Sequence, residues 1–311
     1  MSETDSMNEQ EGSPSVPADF RSGFVSILGR PNVGKSTLLN QLLGEKIAIV
    51  SPRPQTTRNR IMGIKTVPGG QILLLDTPGI HRARSLLNRR MVDVAKRSLG
   101  DVEAVVWVVD AVGGIRGDDG DIAGILARSG HPTLIALNKI DAVSKGRLLP
   151  VIARLAELLP ERDIIPISAL TGDSVPLLVD EILKRLPAGP RYFPEDELTD
   201  QTERFIAAEL IREKVFLRTR QEIPYGTAVS VQSFEEKNEG SLVVIGATIH
   251  TERDSHKPIL IGKRGAALKE IGSAARQDLE QLLGCRVYLE LAVKATPGWS
   301  RDPRSLAAFG L

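Results

Sequence analysis

Cysteine is nearly absent: Cys285 is the single one in 311 residues. One thiol cannot close an intramolecular disulfide or build a cysteine zinc site, so Cys285 is expected to be a small core residue. No apolar run approaches the roughly 18 residues of a membrane span, and no charged segment followed by an apolar stretch opens the chain. A cytoplasmic protein is the expectation. An excess of one charge sign is also missing, because 40 Lys and Arg face 39 Asp and Glu. Such a balance exerts no global pull on nucleic acid, so any nucleic-acid role must come from local clusters. Hydrophobic content of 41% is ordinary for a soluble chain and supports one large or two medium cores.

Residues 1–19 are rich in Ser, Glu, Asp and Pro and are expected to form a disordered tail. Residues 20–188 alternate apolar strands with amphipathic helices: strands at 61–67, 71–75, 102–109, 133–137 and 164–167, helices at 119–128, 147–158 and 175–186. That alternation implies an α/β domain with a mostly parallel sheet covered on both faces. Residues 189–200 are polar and proline-containing and read as a linker. Residues 201–311 differ: a helix at 201–213, alternating strands at 227–234 and 242–250, a helix at 266–283 and a strand at 286–294 make a smaller α+β domain.

Gly29-Arg30-Pro31-Asn32-Val33-Gly34-Lys35-Ser36 is flanked by an apolar strand and by a helix starting at Thr37. Strand, glycine loop and helix form the context in which backbone N–H groups cradle phosphates, a lysine reaches the β- and γ-phosphates and a hydroxyl meets Mg²⁺. Asp76-Thr77-Pro78-Gly79 ends a strand, placing a carboxylate on the Mg²⁺ side and the Gly79 N–H toward the γ-phosphate. Asn138-Lys139-Ile140-Asp141 follows another strand. A fixed Asp141 carboxylate accepts from guanine N1–H and the exocyclic amine, donors that adenine lacks. Asn138 is expected to brace the loop, the Lys139 stem to cover the base, and the Ala169 N–H of Ser168-Ala169-Leu170 to meet the guanine O6.

This ordered set resembles the translation-factor class of GTPases. The resemblance implies Lys35, Thr57 and Gly79 as the groups acting at the γ-phosphate, and a Mg²⁺ ion held by Ser36, Thr57 and Asp76, with Thr56 as the alternative threonine. It also implies mobile arms near 51–60 and 80–90. The residue after Asp-x-x-Gly is Ile80, which has no polar atom to orient water as a glutamine would. The resemblance is therefore to the subset with a hydrophobic residue here, several of which are helped by K⁺ held partly through a phosphate-loop asparagine, a position that Asn32 matches. Arg82, Arg84, Arg89 and Arg90 are expected on a solvated or RNA-facing surface, with a cis positive charge to the γ-phosphate as the alternative, His81 exposed, and His131 in a turn. Ile80 leaves open a module that holds GTP without turning it over.

In the second domain, Gly262-Lys263-Arg264-Gly265 lies between 258–261 and the helix at 266. A GXXG turn between helices lets a nucleic-acid backbone approach closely; Lys263, Arg264, Lys257 and Lys269 add cationic attraction. The order of elements resembles a type II KH domain. Together with 252–257 and the Gly298-Trp299-Ser300-Arg301-Asp302-Pro303-Arg304 tail, the chain is similar to the Era family of ribosome-associated GTPases. That similarity implies GTP and GDP as ligands, small-subunit ribosomal RNA near its 3′ end and the small ribosomal subunit as partners, and a role in subunit maturation. An alternative reading gives the second domain a protein partner or the inner face of the plasma membrane, with the chain peripheral to it.

Overall fold

The computed structural model describes residues 19–51, 53, 56–80, 86–100 and 102–310. The tail at 1–18, His81, Arg82 and Arg84 lie outside the described residues. A six-stranded sheet runs in the order β2 (Ile61–Val67), β3 (Gly70–Asp76), β1 (Arg21–Leu28), β4 (Ala104–Asp110), β5 (Thr133–Asn138) and β6 (Ile164–Pro166). Only β2 is antiparallel to its neighbour. β4 is apolar along its length until Asp110 because helices cover both sheet faces. One core includes α1 (Lys35–Leu43) and α5 (Val175–Arg185), and the other α3 (Gly117–Ser129) and α4 (Lys145–Leu158). The phosphate loop and Ser168 follow the carboxyl ends of β1 and β6, and Asp76 and Asn138 are the last residues of β3 and β5, all at the edge where open α/β sheets bind ligands.

The smaller domain pairs β7 (Thr227–Lys237) antiparallel to β8 (Leu242–Thr251), and β8 parallel to β9 (Arg286–Ala295). β8 alternates buried and partly exposed residues because helices α6 (Glu203–Arg218) and α8 (Ala266–Leu283) cover one face. Between β8 and α8 lies α7 (Lys257–Ile261). Cys285 is half-buried at the margin of this core, packed against its cluster of apolar side chains.

Two regions differ from the sequence reading. A helix absent from it, α2 (Leu86–Arg97), buries Leu87, Met91 and Ala95 at four-residue spacing. Arg89, on the opposite face, is exposed. Residues 189–200 are strapped to the first domain rather than running free: the Tyr192 and Phe193 N–H groups donate to Gln71 Oε1 at 2.9 and 3.0 Å, Ile64 N–H donates to the Leu198 carbonyl at 2.8 Å, and Thr199 Oγ1 donates to the Met62 carbonyl at 2.6 Å. The strap covers the free edge of β2, which would otherwise offer unpaired strand groups to another chain. The 298–304 tail is folded too. Asp302 caps α9 (Pro303–Ala308) by accepting from the Ser305 N–H at 2.9 Å, and Trp299 is wholly buried. Among the described residues, no helix is long and apolar enough to cross a membrane.

Candidate functional site

β1 ends at Leu28 and α1 begins at Lys35, so the loop between them must turn sharply. Gly34 makes the turn at φ 101°, and a Cβ there would lie 2.3 Å from Asn138 Nδ2, so only glycine fits. Lys35 is buried, its ammonium donating to the Gly29 carbonyl at 3.3 Å and the Arg30 carbonyl at 3.0 Å. Burial lowers its pKa to about 8, against the opposing pull of Asp76. Asp76 is likewise inaccessible, and burial raises its carboxyl above the usual carboxylate range. Each group is held where its own charge is disfavoured until an opposite charge arrives: an anion at Lys35, a cation at Asp76.

Asp76 Oδ2 accepts from Ser36 Oγ at 2.6 Å, and Ser36 Oγ lies 2.9 Å from Thr57 Oγ1. Asp76 Oδ1 is buried with no hydrogen-bond partner in the protein. Two hydroxyls and a carboxylate with an orphaned oxygen form a hard-oxygen donor set that suits Mg²⁺. Thr56 points elsewhere, donating to the Arg53 carbonyl at 2.9 Å. Gly79 lies on the phosphate loop, where a Cβ would stand 2.6 Å from Pro31 N. Ile80 donates its N–H to the Gly29 carbonyl at 3.2 Å and buries its side chain in the core. Between the loop and Thr56–Thr57 lies a cavity of about 50 Å³.

Asn138 joins three loops. Its Nδ2 donates to the Val33 carbonyl at 2.8 Å, and its Oδ1 accepts from the Lys139 and Ala169 N–H groups at 2.8 and 2.9 Å. The Ala169 N–H, expected at the guanine O6, is thus engaged inside the protein. The Thr77 hydroxyl is likewise engaged, donating to the Ile27 carbonyl at 2.9 Å. Arg30 turns its guanidinium away as well, pairing with buried Asp119 at 2.7 Å. Lys139, at φ 69°, reaches the Asn32 carbonyl and Asp110 Oδ2, both at 2.7 Å. Beyond the desolvation that opposes it, this hydrogen bond holds the Asp110 carboxyl below the usual range. Asp141 is exposed at the rim and accepts from Ser168 Oγ at 2.6 Å, while the Leu170 side chain faces solvent. His131 is half-buried, its ring bonded to the Leu99 carbonyl at 2.8 Å.

The arm that carries Thr57 rests on the smaller domain. Arg58 is buried there, donating to the Thr227, Tyr225 and Pro224 carbonyls at 2.7, 2.9 and 3.3 Å. Burial, with Arg212 alongside, lowers its pKa to about 9, which leaves it charged at neutral pH. Lys46 closes the same interface with Glu213 at 2.7 Å and Asp278 at 2.6 Å.

In the smaller domain the turn at 262–265 places Gly262 at φ 74°, Arg264 at φ 55° and Gly265 at φ 79°. Lys263 and Arg264 are exposed. Beside them runs a groove of about 390 Å³, lined by Gly265, Leu268, Lys269, Arg276 and Tyr288 among others. Lys257 does not line it; at the far end of α7 it pairs with Asp254 at 3.6 Å. Sequence reasoning misses Asp110, Asp119, Arg58 and Tyr288 as site residues. The first two are lone carboxylates without a motif, and Tyr288 is hidden in a strand pattern, although an aromatic at an outward-facing strand position is a readable signal for base stacking.

The model of the 50S ribosome-binding GTPase family matches residues 24–139, and that of the KH domain residues 222–300. GTPase Era of Geobacter metallireducens is 56% identical over 291 residues, covering 94% of this chain and 98% of its own. GTPase Era of Geotalea uraniireducens is 54% identical with the same coverage. Among solved structures, a variant of Aquifex aeolicus Era bound to GDP·AlF₄⁻ superposes with a TM-score of 0.90 at 43% identity, covering 94% of this chain and 99% of its own. Era in complex with MgGDPNP and nucleotides 1506–1542 of 16S ribosomal RNA superposes equally well.

Proposed function

The chain belongs to the Era family of GTPases, and on that premise we propose how its own residues divide the work. Residues 20–188 form the GTP-binding domain, 189–200 the connecting strap, and 201–311 the KH domain with its C-terminal segment. Lys35 and the backbone N–H groups of 32–37 hold phosphate oxygens at the N-terminus of α1. Thr37 follows Ser36 into this helix, and Pro78 aims the Gly79 N–H at the γ-phosphate. Ser36, Thr57 and Asp76 hold Mg²⁺, which when bound neutralises charge on the β- and γ-phosphates. The observation that carries this reading is their convergence on one point, with an orphaned Asp76 oxygen inside it.

Hydrolysis needs a positioned water and little covalent help from the protein. Ile80 cannot orient that water, so we assign the task to the backbone at Thr57 and Gly79, with K⁺ beside Asn32 as the added positive charge. Phosphate release measured in K⁺ and in Na⁺ tests this; equal rates contradict the role of K⁺. Asp141 reads guanine. Asp141→Asn should shift preference to xanthine, whose C2 oxygen accepts from the new amide, and unchanged GTP affinity contradicts the assignment.

The KH domain binds small-subunit ribosomal RNA near its 3′ end, laying the backbone on 262–265 and bases in the groove beside Tyr288. Its operation within the small ribosomal subunit during maturation follows from the same reading. Changing Lys263 and Arg264 to Asp should weaken RNA binding and flatten its dependence on salt, by about 0.7 in the logarithmic slope for each phosphate that is no longer neutralised. RNA binding that survives the change, with sedimentation on anionic vesicles abolished instead, would favour a peripheral membrane role.

A further inference from the structure

We propose that Arg58 is a positioning residue for GTP hydrolysis: clasped by the KH domain, it holds Thr57 at the Ser36–Asp76 oxygens, so that the KH domain sets the reaction geometry in cis. The proposal rests on the reading of Thr57 as the threonine at the magnesium and γ-phosphate.

The clasp is built from both sides. The Arg58 guanidinium lies 5.5 Å from the Trp299 ring centroid and 5.8 Å from that of Phe216, and both rings are fully buried. The 224–227 turn supplies three carbonyls to Arg58, and Trp299 Nε1 donates to a fourth, that of Gly226, at 3.1 Å. Arginine and indole therefore fix one turn together. On the other side of Thr57, the Thr56 carbonyl accepts from Arg212 Nη2 at 2.6 Å. Arg212 in turn pairs with Glu209 at 2.6 Å and lies 5.3 Å from the Phe216 centroid. Thr57 is thus bracketed by two neighbours that the KH domain grips. Successive Cα atoms are about 3.8 Å apart, so Thr57 cannot shift far while both neighbours are held.

A residue that only cemented the two domains could sit anywhere on their interface, as Lys46 does. Arg58 is instead covalently next to the threonine whose hydroxyl stands 2.9 Å from Ser36. The second arm converges on the same place, since Leu87 and Met91 of α2 share an apolar cluster with Trp299 and Leu306. An arginine fits the position and a lysine does not, because three carbonyls and two aromatic faces require a planar, multiply donating cation.

The test uses the full chain and two variants, Arg58→Lys and Trp299→Phe, the latter remote from the nucleotide. Single-turnover phosphate release, KM for GTP and affinity for GDP are measured for each. Misplacement of Thr57 should lower turnover by about ten- to a hundredfold, while GDP affinity, which does not use Thr57, changes less than twofold and reports an intact fold. Added to Thr57→Ala, Arg58→Lys should cost nothing further, because both act through one hydroxyl. Turnover within twofold of the parent in Trp299→Phe overturns the proposal even if Arg58→Lys fails to fold, and so does full additivity with Thr57→Ala. If Thr57→Ala itself keeps normal turnover, the reading of Thr57 fails rather than the clasp alone.

Discussion

Asn138 is the place where the nucleotide site is most exposed to a single change. It is 2% accessible, and its amide satisfies the Val33 carbonyl and the Lys139 and Ala169 N–H groups at 2.8 to 2.9 Å. Asn138→Ala strands all three. Each buried group left unpaired costs about 1–3 kcal/mol, so the total is at least about 3 kcal/mol. The free protein can relieve that cost by letting the three loops part. Bound guanine nucleotide requires the loops in register, so the cost reappears as lost affinity of about a hundredfold. Titration with a fluorescent GDP measures it, and hydrogen exchange at the Lys139 and Ala169 amides shows whether the loops have parted. Asn138→Asp separates the parts: it keeps an acceptor for both amides but sets a carboxylate oxygen against the Val33 carbonyl. Exchange should then stay slow while affinity falls. GDP affinity within threefold of the parent for Asn138→Ala would refute the reasoning.

Three further outcomes follow from the geometry. Lys35, lowered to about 8 in the free protein, is driven back to its charged form by phosphate, so above pH 8 GDP binding takes up a proton and weakens by up to about tenfold per pH unit; calorimetry at pH 9 in two buffers of different ionisation enthalpy should register nearly a full proton at Lys35, against about a tenth of one at pH 7. Gly79→Ala places a Cβ 2.6 Å from the Pro31 backbone, which lifts the arm from the phosphate loop; single-turnover hydrolysis should drop by about a hundredfold while GDP affinity holds, and equal turnover contradicts this approach of Gly79 to the loop. Asp119→Ala leaves the buried Arg30 guanidinium with the Gly114 carbonyl but no counter-charge, at a cost of up to about 3–5 kcal/mol, and thermal unfolding without nucleotide should show a clear loss that an unchanged midpoint would deny.

The residues legible in the sequence share one property: each chemical group sits in a short contiguous pattern that ends a strand or joins two helices. Gly29 to Ser36, Asp76 to Gly79, Asn138 to Asp141 and Gly262 to Gly265 are of this kind, and the alternation of apolar residues predicts the two sheets with small errors at their ends. What escapes depends on tertiary partners. Asp110 and Asp119 are single carboxylates whose roles appear only when Lys139 and Arg30 are seen to reach them. α2 is hard to tell from a mobile arm because its apolar stripe is short and crowded by five charged residues, Arg89, Arg90, Asp93, Lys96 and Arg97. The strap at 189–200 looks like a linker because its apolar content is low; backbone hydrogen bonds to β2 and pairing with Gln71 hold it instead. The bond between the Ala169 N–H and Asn138 escapes too, because nothing in sequence shows that Asn138 folds back onto it. Trp299 lies in a tail, yet it is buried under the cation that neighbours Thr57.

The central claim is that the nucleotide's terminal phosphate is read by the KH domain through the arm at 56–58. The affinity of the full chain for the 3′-terminal segment of small-subunit ribosomal RNA, measured at fixed Mg²⁺ and salt with GDP and with a non-hydrolysable GTP analogue, tests it directly. A coupling of at least about tenfold between the two nucleotide states is predicted, with RNA altering the preference for the analogue over GDP by the same factor. Equal RNA affinities in the two states would contradict it.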